Sequence, residues 1–181
     1  TITASGTCPC NIWAPTTVPP APVDDGDPAS VELGTKFRSD INGFITGVRF
    51  YKAAANTGTH TGTLWSSTGT QLATVTFSGE TASGWQQALF PNPIAVTANT
   101  TYVISYHAPV GHYTGTDAYF NTAVDRPPLH GLRNGVDGAN GLYSYSTATT
   151  YPTNTFNSEN YWVDVVFTTT PPPDTTAPTI T

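Results

Sequence analysis

Apolar and polar residues alternate along short runs of this chain, and Gly and Pro punctuate the sequence between the runs. In residues 44–51, Phe44, Thr46, Val48 and Phe50 alternate with the side chains of the opposite face. A period of two is that of a β-strand with one buried face. No stretch keeps a 3.6-residue apolar period, so we expect helices to be few and short. Runs that recur about every 8–12 residues, with turn signals between them, predict an all-β fold: an antiparallel β-sandwich of the jelly-roll or immunoglobulin-like kind.

The other runs fit the same architecture. Residues 31–40 start a strand, residues 62–77 predict a hairpin that turns at Ser67-Thr68-Gly69, and residues 160–169 hold the last clear strand. The connection over residues 108–158 is unusually long for a compact domain. Such a connection is generally functional or contains further hairpins, and GLYSYS within it predicts a short strand.

The distribution of Pro and Thr divides the chain into three parts. We expect residues 1–30 to be an extended, Pro-rich segment packed on the domain and residues 31–168 to be the sandwich. Residues 169–181 are interpreted as a Pro/Thr linker and the start of a following immunoglobulin-like module. The chain contains no Met, even at position 1, which indicates a removed leader or a piece of a longer protein. We therefore expect a module of a secreted, multidomain bacterial protein.

The charge balance argues against two classes of partner. Six Lys and Arg face twelve Asp and Glu, which gives a formal net charge of −6. Binding to nucleic acid and docking on anionic lipid both need clustered cations. No apolar run approaches the roughly 18 residues that span a bilayer. We expect neither nucleic acid nor a membrane as a partner.

The two cysteines, Cys8 and Cys10, lie in TCPCNIW. A Cys-x-Cys pair without a third cysteine makes a poor zinc site. In an oxidising compartment we expect a Cys8–Cys10 disulfide that acts as a local clamp. Free thiols and a labile redox pair are the alternatives.

Five stretches of the chain carry a resemblance to a known family. They are TCPCNIW, VELGTKFRSDINGFITGVRFYK, the segment from NTGTHTG to GWQQALF, TYVISYHAPVGHY and NYWVDVVF. Together they resemble family 4082 of bacterial domains of unknown function (DUF4082), over about residues 5–168. The resemblance implies a secreted β-sandwich that serves as an accessory module of large multidomain proteins. It implies no activity, because the family has none assigned.

Signatures of catalysis are missing from the sequence. It contains no G-x-S-x-G, H-E-x-x-H, P-loop or Rossmann fingerprint. A glycosidase would need two carboxylates facing one cleft, and most of the acids fall in predicted turns. We expect the domain not to be an enzyme.

Acidic residues near the start of the chain suggest a structural calcium ion. The turn VDDGDPASVELG offers the hard oxygen ligands that Ca²⁺ prefers, and Asp164 lies among apolar neighbours in the last strand, where an unpaired carboxylate is costly. The candidate ligands are Asp25, Asp27, Glu32 and Asp164. The alternative is a solvated turn, with Asp164 paired to Arg49 or Lys36.

The histidines suggest a second metal hypothesis. His60, His107 and His112 fall in or beside loops, and their spacing matches no compact zinc motif. They would bind copper or zinc if their loops met at one end of the sandwich. The alternative is that each histidine is an ordinary hydrogen-bonding partner.

Aromatic residues in loops suggest carbohydrate as the ligand. Sugars stack their C–H faces on Trp and Tyr, while polar side chains fix the hydroxyl groups. The candidates are Trp65, Tyr113, Tyr119, Tyr143, Asn121, Asp125 and Arg126. We therefore expect a polysaccharide or cell-surface glycan, besides neighbouring domains of the same chain, as partner. A structural spacer or adhesion module, whose rings only cover the core, is the alternative.

Overall fold

Two antiparallel β-sheets packed face to face form the domain in the computed structural model, which describes residues 8–170. The strands are β1 Val31–Ser39, β2 Gly43–Lys52, β3 Thr61–Ser66, β4 Gln71–Thr76, β5 Gly84–Val96, β6 Tyr102–Ala108, β7 Val124–Arg126, β8 Leu129–Gly131, β9 Leu142–Tyr145, β10 Asn154–Thr155 and β11 Val163–Thr168. The helical content of the described range is one 3-10 turn, Tyr119–Asn121. The predicted antiparallel sandwich with little helix is confirmed. No helix in this range is long and apolar enough to cross a membrane.

The sheets differ in size. The large sheet has the order β10-β9-β1-β6-β3-β4, and β8 pairs with the C-terminal half of β1 while β7 pairs with β8. The small sheet has the order β11-β2-β5. Strands β7 to β10 all lie within residues 108–158, so the long connection does contain a hidden hairpin, and GLYSYS does form a strand.

A bulge in β2 changes which residues face the core. Consecutive residues Val166 and Phe167 of β11 pair with Gly47 and Ile45, so Thr46 is an extra residue in β2. Ile45 is buried on one side of the bulge, and Val48 and Phe50 are buried on the other. A single alternation along residues 44–51 is therefore wrong in detail, because a bulge inserts one residue and moves the following side chains to the opposite face.

Part of the outer face of the large sheet is covered as well. Trp65, Val103 and Leu142 form a second buried cluster, against which Tyr151 packs. The Trp65 indole donates to Ser105 Oγ at 2.7 Å. The long connection thus covers part of the outer face of β3 and β6.

The N-terminal segment is held on the small sheet by a buried ion pair. Cys10 forms a backbone bridge with Phe167. Asp164 accepts hydrogen bonds from Ile12 N at 2.7 Å and Trp13 N at 3.3 Å, and Arg49 Nη2 donates to it at 2.6 Å. Burial raises the pKa of Asp164, while Arg49 and the backbone amides oppose that shift. The predicted linker and following module lie mostly outside the described residues.

Candidate functional site

One cavity of about 240 Å³ lies at the end of the sandwich where β6 and β9 end and β1 begins. Its lining combines aromatic rings with carboxylates: Asp25, Asp27, Tyr113, Tyr143, Tyr145, Phe156, Glu159 and Tyr161. We call it the aromatic-acidic cavity. Tyr145 and Phe156 are 57% and 54% exposed, and they are the exposed large aromatic residues of the range 8–170. The rings that the fold leaves open to solvent therefore meet at one place.

Backbone pairing between two loops builds one wall. Asp25 N donates to Tyr113 O at 2.9 Å, and His112 N donates to Asp27 O at 2.6 Å. Gly111 makes this approach possible, because its φ of +66° suits glycine and a Cβ there would collide with the Asp27 carbonyl. The stretch SYHAPVGHY is thus the end of a strand followed by a wall of the cavity.

The aromatic rings stand roughly at right angles to one another. Tyr143 and Tyr145 are two residues apart on β9, with ring centroids 5.6 Å apart and planes inclined at 72°. Tyr113 and Tyr161 have the same centroid separation and an angle of 80°. Rings in this arrangement present both faces and edges to whatever occupies the space between them.

Glu159 is the most buried carboxylate of the cavity. Its residue is 5% exposed. Burial, together with the nearby charges of Asp25 and Asp117, raises the pKa of Glu159 from 4.5 to about 7, although a hydrogen bond from Tyr161 opposes the shift. Gly115 leaves the room that this carboxylate needs, since a Cβ at that position would overlap Glu159 Oε1.

Raised pKa values keep three tyrosine hydroxyls of the site protonated, those of Tyr113, Tyr145 and Tyr161. Burial, with Asp25 and Glu159 nearby, raises the pKa of Tyr113 above its ordinary value, and burial does the same for Tyr161. Tyr145 donates to Asp27 Oδ2 at 2.5 Å, and this hydrogen bond is the main reason that its pKa rises to about 12. These groups are therefore neutral hydrogen-bond donors and neutral rings at physiological pH.

A second, shallower space adjoins the cavity. We call it the acidic groove; its volume is about 320 Å³ and its lining is Pro20, Ala21, Pro22, Asp24, Asp25, Gly115, Thr116, Asp117 and Glu159. Asp25 and Glu159 line both spaces. The two therefore form one continuous acidic surface.

The structure separates the ligand-binding residues suggested by the sequence. Tyr113 and Tyr143 line the aromatic-acidic cavity. Trp65 is 5% exposed beneath the long connection. Tyr119 packs in a cluster with Trp13 and Trp162.

Three further candidates do not line the cavity, and two of them, Asp125 and Arg126, lie near the other end of β1. Asp125 contacts His130 at 2.7 Å, and Arg126 donates to Asn11 O. Asn121 ends the 3-10 turn and is exposed. His130 pairs with Arg38, whereas Tyr143 pairs with Leu33, which is roughly 17 Å away along the strand. Asp125, Arg126 and Asn121 therefore do not belong to the cavity.

The four candidate calcium ligands are also dispersed. Asp25 and Asp27 line the cavity, whereas Asp164 is buried against Arg49, as one alternative had it. Glu32 is fully buried and accepts from Ser105 Oγ at 2.5 Å. Over residues 8–170, no three Asp, Glu, His or Cys side chains are grouped closely enough to hold a metal ion.

The three candidate histidines lie beside three different carboxylates. His60 Nδ1 lies 2.8 Å from Glu80, and His112 Nδ1 lies 3.2 Å from Asp24. Burial lowers the pKa of His60, although Glu80 opposes this. The three histidines of the copper or zinc hypothesis are not brought to one centre.

His107 belongs to a polar chain with the connectivity of a catalytic triad. Its Nε2 lies 3.2 Å from Ser30 Oγ, and its Nδ1 lies 3.4 Å from Glu32 Oε2. The second distance is longer than a hydrogen bond. Glu32 already accepts a hydrogen bond from Ser105. Ser30, Glu32 and His107 line neither the aromatic-acidic cavity nor the acidic groove, so this chain of residues faces neither of these spaces.

Three residues of the cavity were not predicted from the sequence. Phe156, Glu159 and Tyr161 all lie between β10 and β11. The signal was the density of aromatic and acidic residues in NTFNSENYW, just before the last strand. The stretch itself does not indicate that it folds back onto Asp25. That contact depends on a backbone bridge between Thr116 and Asn160, which are far apart in sequence.

The structure is that of an all-β sandwich module with a cavity at one end. The chain belongs to the family described as a domain of unknown function, DUF4082, whose model matches residues 16–163. No curated protein and no solved structure matches the chain. The family membership that the motifs implied is confirmed.

Proposed function

We propose that this domain is a non-catalytic accessory module of a secreted protein, and that it binds carbohydrate in the aromatic-acidic cavity. The observation that carries the proposal is the exposure of Tyr145 and Phe156 beside the carboxylates of Asp25 and Asp27. Exposed aromatic rings lose favourable burial unless a ligand covers them. Carboxylates beside such rings accept hydrogen bonds from sugar hydroxyls.

The size of the cavity suits one sugar ring. An apolar protein cavity of roughly 150 Å³ is enough to hold benzene. A space of about 240 Å³ therefore accommodates a six-membered ring with its substituents. The rest of an oligosaccharide would lie outside, along the acidic groove.

The affinity of a single site should be modest. A stacked ring contributes on the order of 1 kcal/mol beyond its buried area. A parent protein with several binding modules would gain by avidity, because the second binding event becomes intramolecular.

A binding screen tests the proposal. Retention of the domain is measured on insoluble polysaccharides and on bacterial cell-wall material. Phe156→Ala and Tyr145→Ala should weaken retention at least tenfold. Leu89→Ala is the matched control: Leu89 is an equally exposed apolar residue, but it lies on β5 and does not line the cavity, so its loss should leave retention unchanged. Retention that survives both aromatic substitutions would place the site elsewhere. A domain retained on none of these materials would favour the spacer or adhesion role.

A further inference from the structure

The acidic residues of the described range divide sharply into paired and unpaired groups. Seven of them lie within 4 Å of a basic side chain: Glu80, Asp137 and Asp164 beside a Lys or Arg, and Asp24, Glu32, Asp40 and Asp125 beside a histidine, which is charged only when protonated. Four within residues 8–170 have no such neighbour: Asp25, Asp27, Asp117 and Glu159. All four line the aromatic-acidic cavity or the acidic groove.

A chance distribution would scatter the unpaired acids over the surface. Here they collect around two adjoining spaces whose linings contain neither Lys nor Arg. Like charges held together repel one another, and a nearly buried carboxylate is costly without a counter-charge. The raised pKa of Glu159 is the local sign of that cost. The residues that line these two spaces therefore carry negative charge that no Lys or Arg of the lining balances.

The spacing of the carboxylates speaks for a cation larger than a metal ion. Among the residues that the structure describes, no three are close enough to share a single metal ion. Three of the four, Asp25, Asp27 and Glu159, instead line a space walled by aromatic rings. Aromatic faces attract organic ammonium groups, and cages of such rings bind alkylated amines.

From these observations we propose that the ligand of the cavity carries a protonated amine, so that the preferred carbohydrate is an amino sugar with a free amino group. This inference rests on the proposed carbohydrate function and names the class of sugar. The amine would lie between Glu159 and Asp25, and the sugar ring would pack on Phe156 and Tyr145.

Three tetrasaccharides separate this inference from the proposed function. The β-1,4-linked tetramers of glucosamine, N-acetylglucosamine and glucose share their ring and linkage and differ only at C2. Titration calorimetry at pH 6.5 and low salt should show the glucosamine tetramer binding at least tenfold more tightly than the other two. Raising the salt should weaken its binding, because exposed charges are screened.

Charge substitutions supply the matched control. Asp25→Asn and Glu159→Gln should each remove most of the preference, whereas Asp40→Asn should keep it, because Asp40 follows β1 at the other end of the sandwich. Thermal melting confirms that each variant is folded.

Each remaining outcome decides one of the two ideas. Equal binding of all three tetramers, lost in Phe156→Ala, would overturn the amine inference and keep the carbohydrate function. Binding of tetramethylammonium without any tetramer would support a cation site and overturn the carbohydrate function. Stoichiometric Ca²⁺ binding that Asp25→Asn abolishes would overturn the amine inference in favour of a metal.

Discussion

Glu159→Gln should make the unliganded domain more stable in alkaline solution. The substitution keeps the shape of the side chain and an oxygen that accepts from Tyr161, but it removes the charge. In the folded protein the pKa of Glu159 is raised from 4.5 to about 7, first by burial and then by Asp25 and Asp117. Above pH 7 the wild-type fold therefore holds a carboxylate charged in surroundings that disfavour the charge.

The size of the effect follows from that shift. A displacement from 4.5 to about 7 corresponds to between about 3 and 4 kcal/mol at 1.4 kcal/mol per pH unit. The cavity is open to solvent, which screens the charge, so we expect Glu159→Gln to stabilise the fold by about 1–2 kcal/mol at pH 8.5.

The sign depends on pH. Between pH 4.5 and 7 the folded state binds more protons at Glu159 than the unfolded state does. Wild-type stability therefore falls as pH rises through this window, and glutamine does not titrate. The advantage of Glu159→Gln should be near zero at pH 4.5 and complete above pH 8.

Urea denaturation followed by tryptophan fluorescence measures this difference. Wild type and variant are unfolded at pH 5 and pH 8.5, and equal m-values show that the same surface is exposed. A variant that is no more stable than wild type at pH 8.5, or whose advantage is the same at both pH values, would refute the reasoning.

Four further outcomes follow from the same structure. Asp164→Ala should cost about 3–5 kcal/mol of unfolding free energy, because it leaves Arg49 buried without its partner; a cost below about 1 kcal/mol in urea denaturation would contradict this. The Cys8–Cys10 disulfide should give a mass increase of about 2 Da on reduction, and two thiols alkylated in unreduced protein would rule it out. Trp65→Ala should cost about 3–5 kcal/mol without changing ligand affinity in the folded protein, and calorimetry showing a specific loss of binding would return Trp65 to the site. Ser30 should not react with a fluorophosphonate probe, since His107 is 3.4 Å from Glu32; labelling that Ser30→Ala abolishes would indicate a hydrolase.

The architecture was predictable because strand patterning is local. The period of two, the turn at Gly69 and the lack of a helical period depend on neighbouring residues, and the hairpin of β3 and β4 formed as expected. The bulge in β2 was not predictable in the same way. Its position depends on pairing with β11, about 120 residues later.

The site was predictable only in part, because it is assembled from distant segments. Residue types that suit a sugar occur at both ends of the sandwich, and sequence alone cannot say which end keeps them open. Trp65 looked exposed because it precedes a turn, yet residues 142–151 fold back and bury it. Asp25 looked like a metal ligand because three acids are close in sequence, whereas its neighbour in space is Glu159.

The two consequences expected of Glu159→Gln run in opposite directions, and this separates a binding role from a structural one. A carboxylate that the fold uses for its own stability loses stability when it is neutralised, as we expect for Asp164. A carboxylate kept for a ligand costs stability in the free protein and recovers it when a cation arrives, because binding to the folded state stabilises it by mass action. Glu159→Gln should therefore be the more stable protein without ligand at pH 8.5, and the less stable one at saturating glucosamine tetramer at pH 6.5, where the amine of the sugar is protonated. A loss of stability under both conditions would make Glu159 part of the scaffold and remove the main support for the amine.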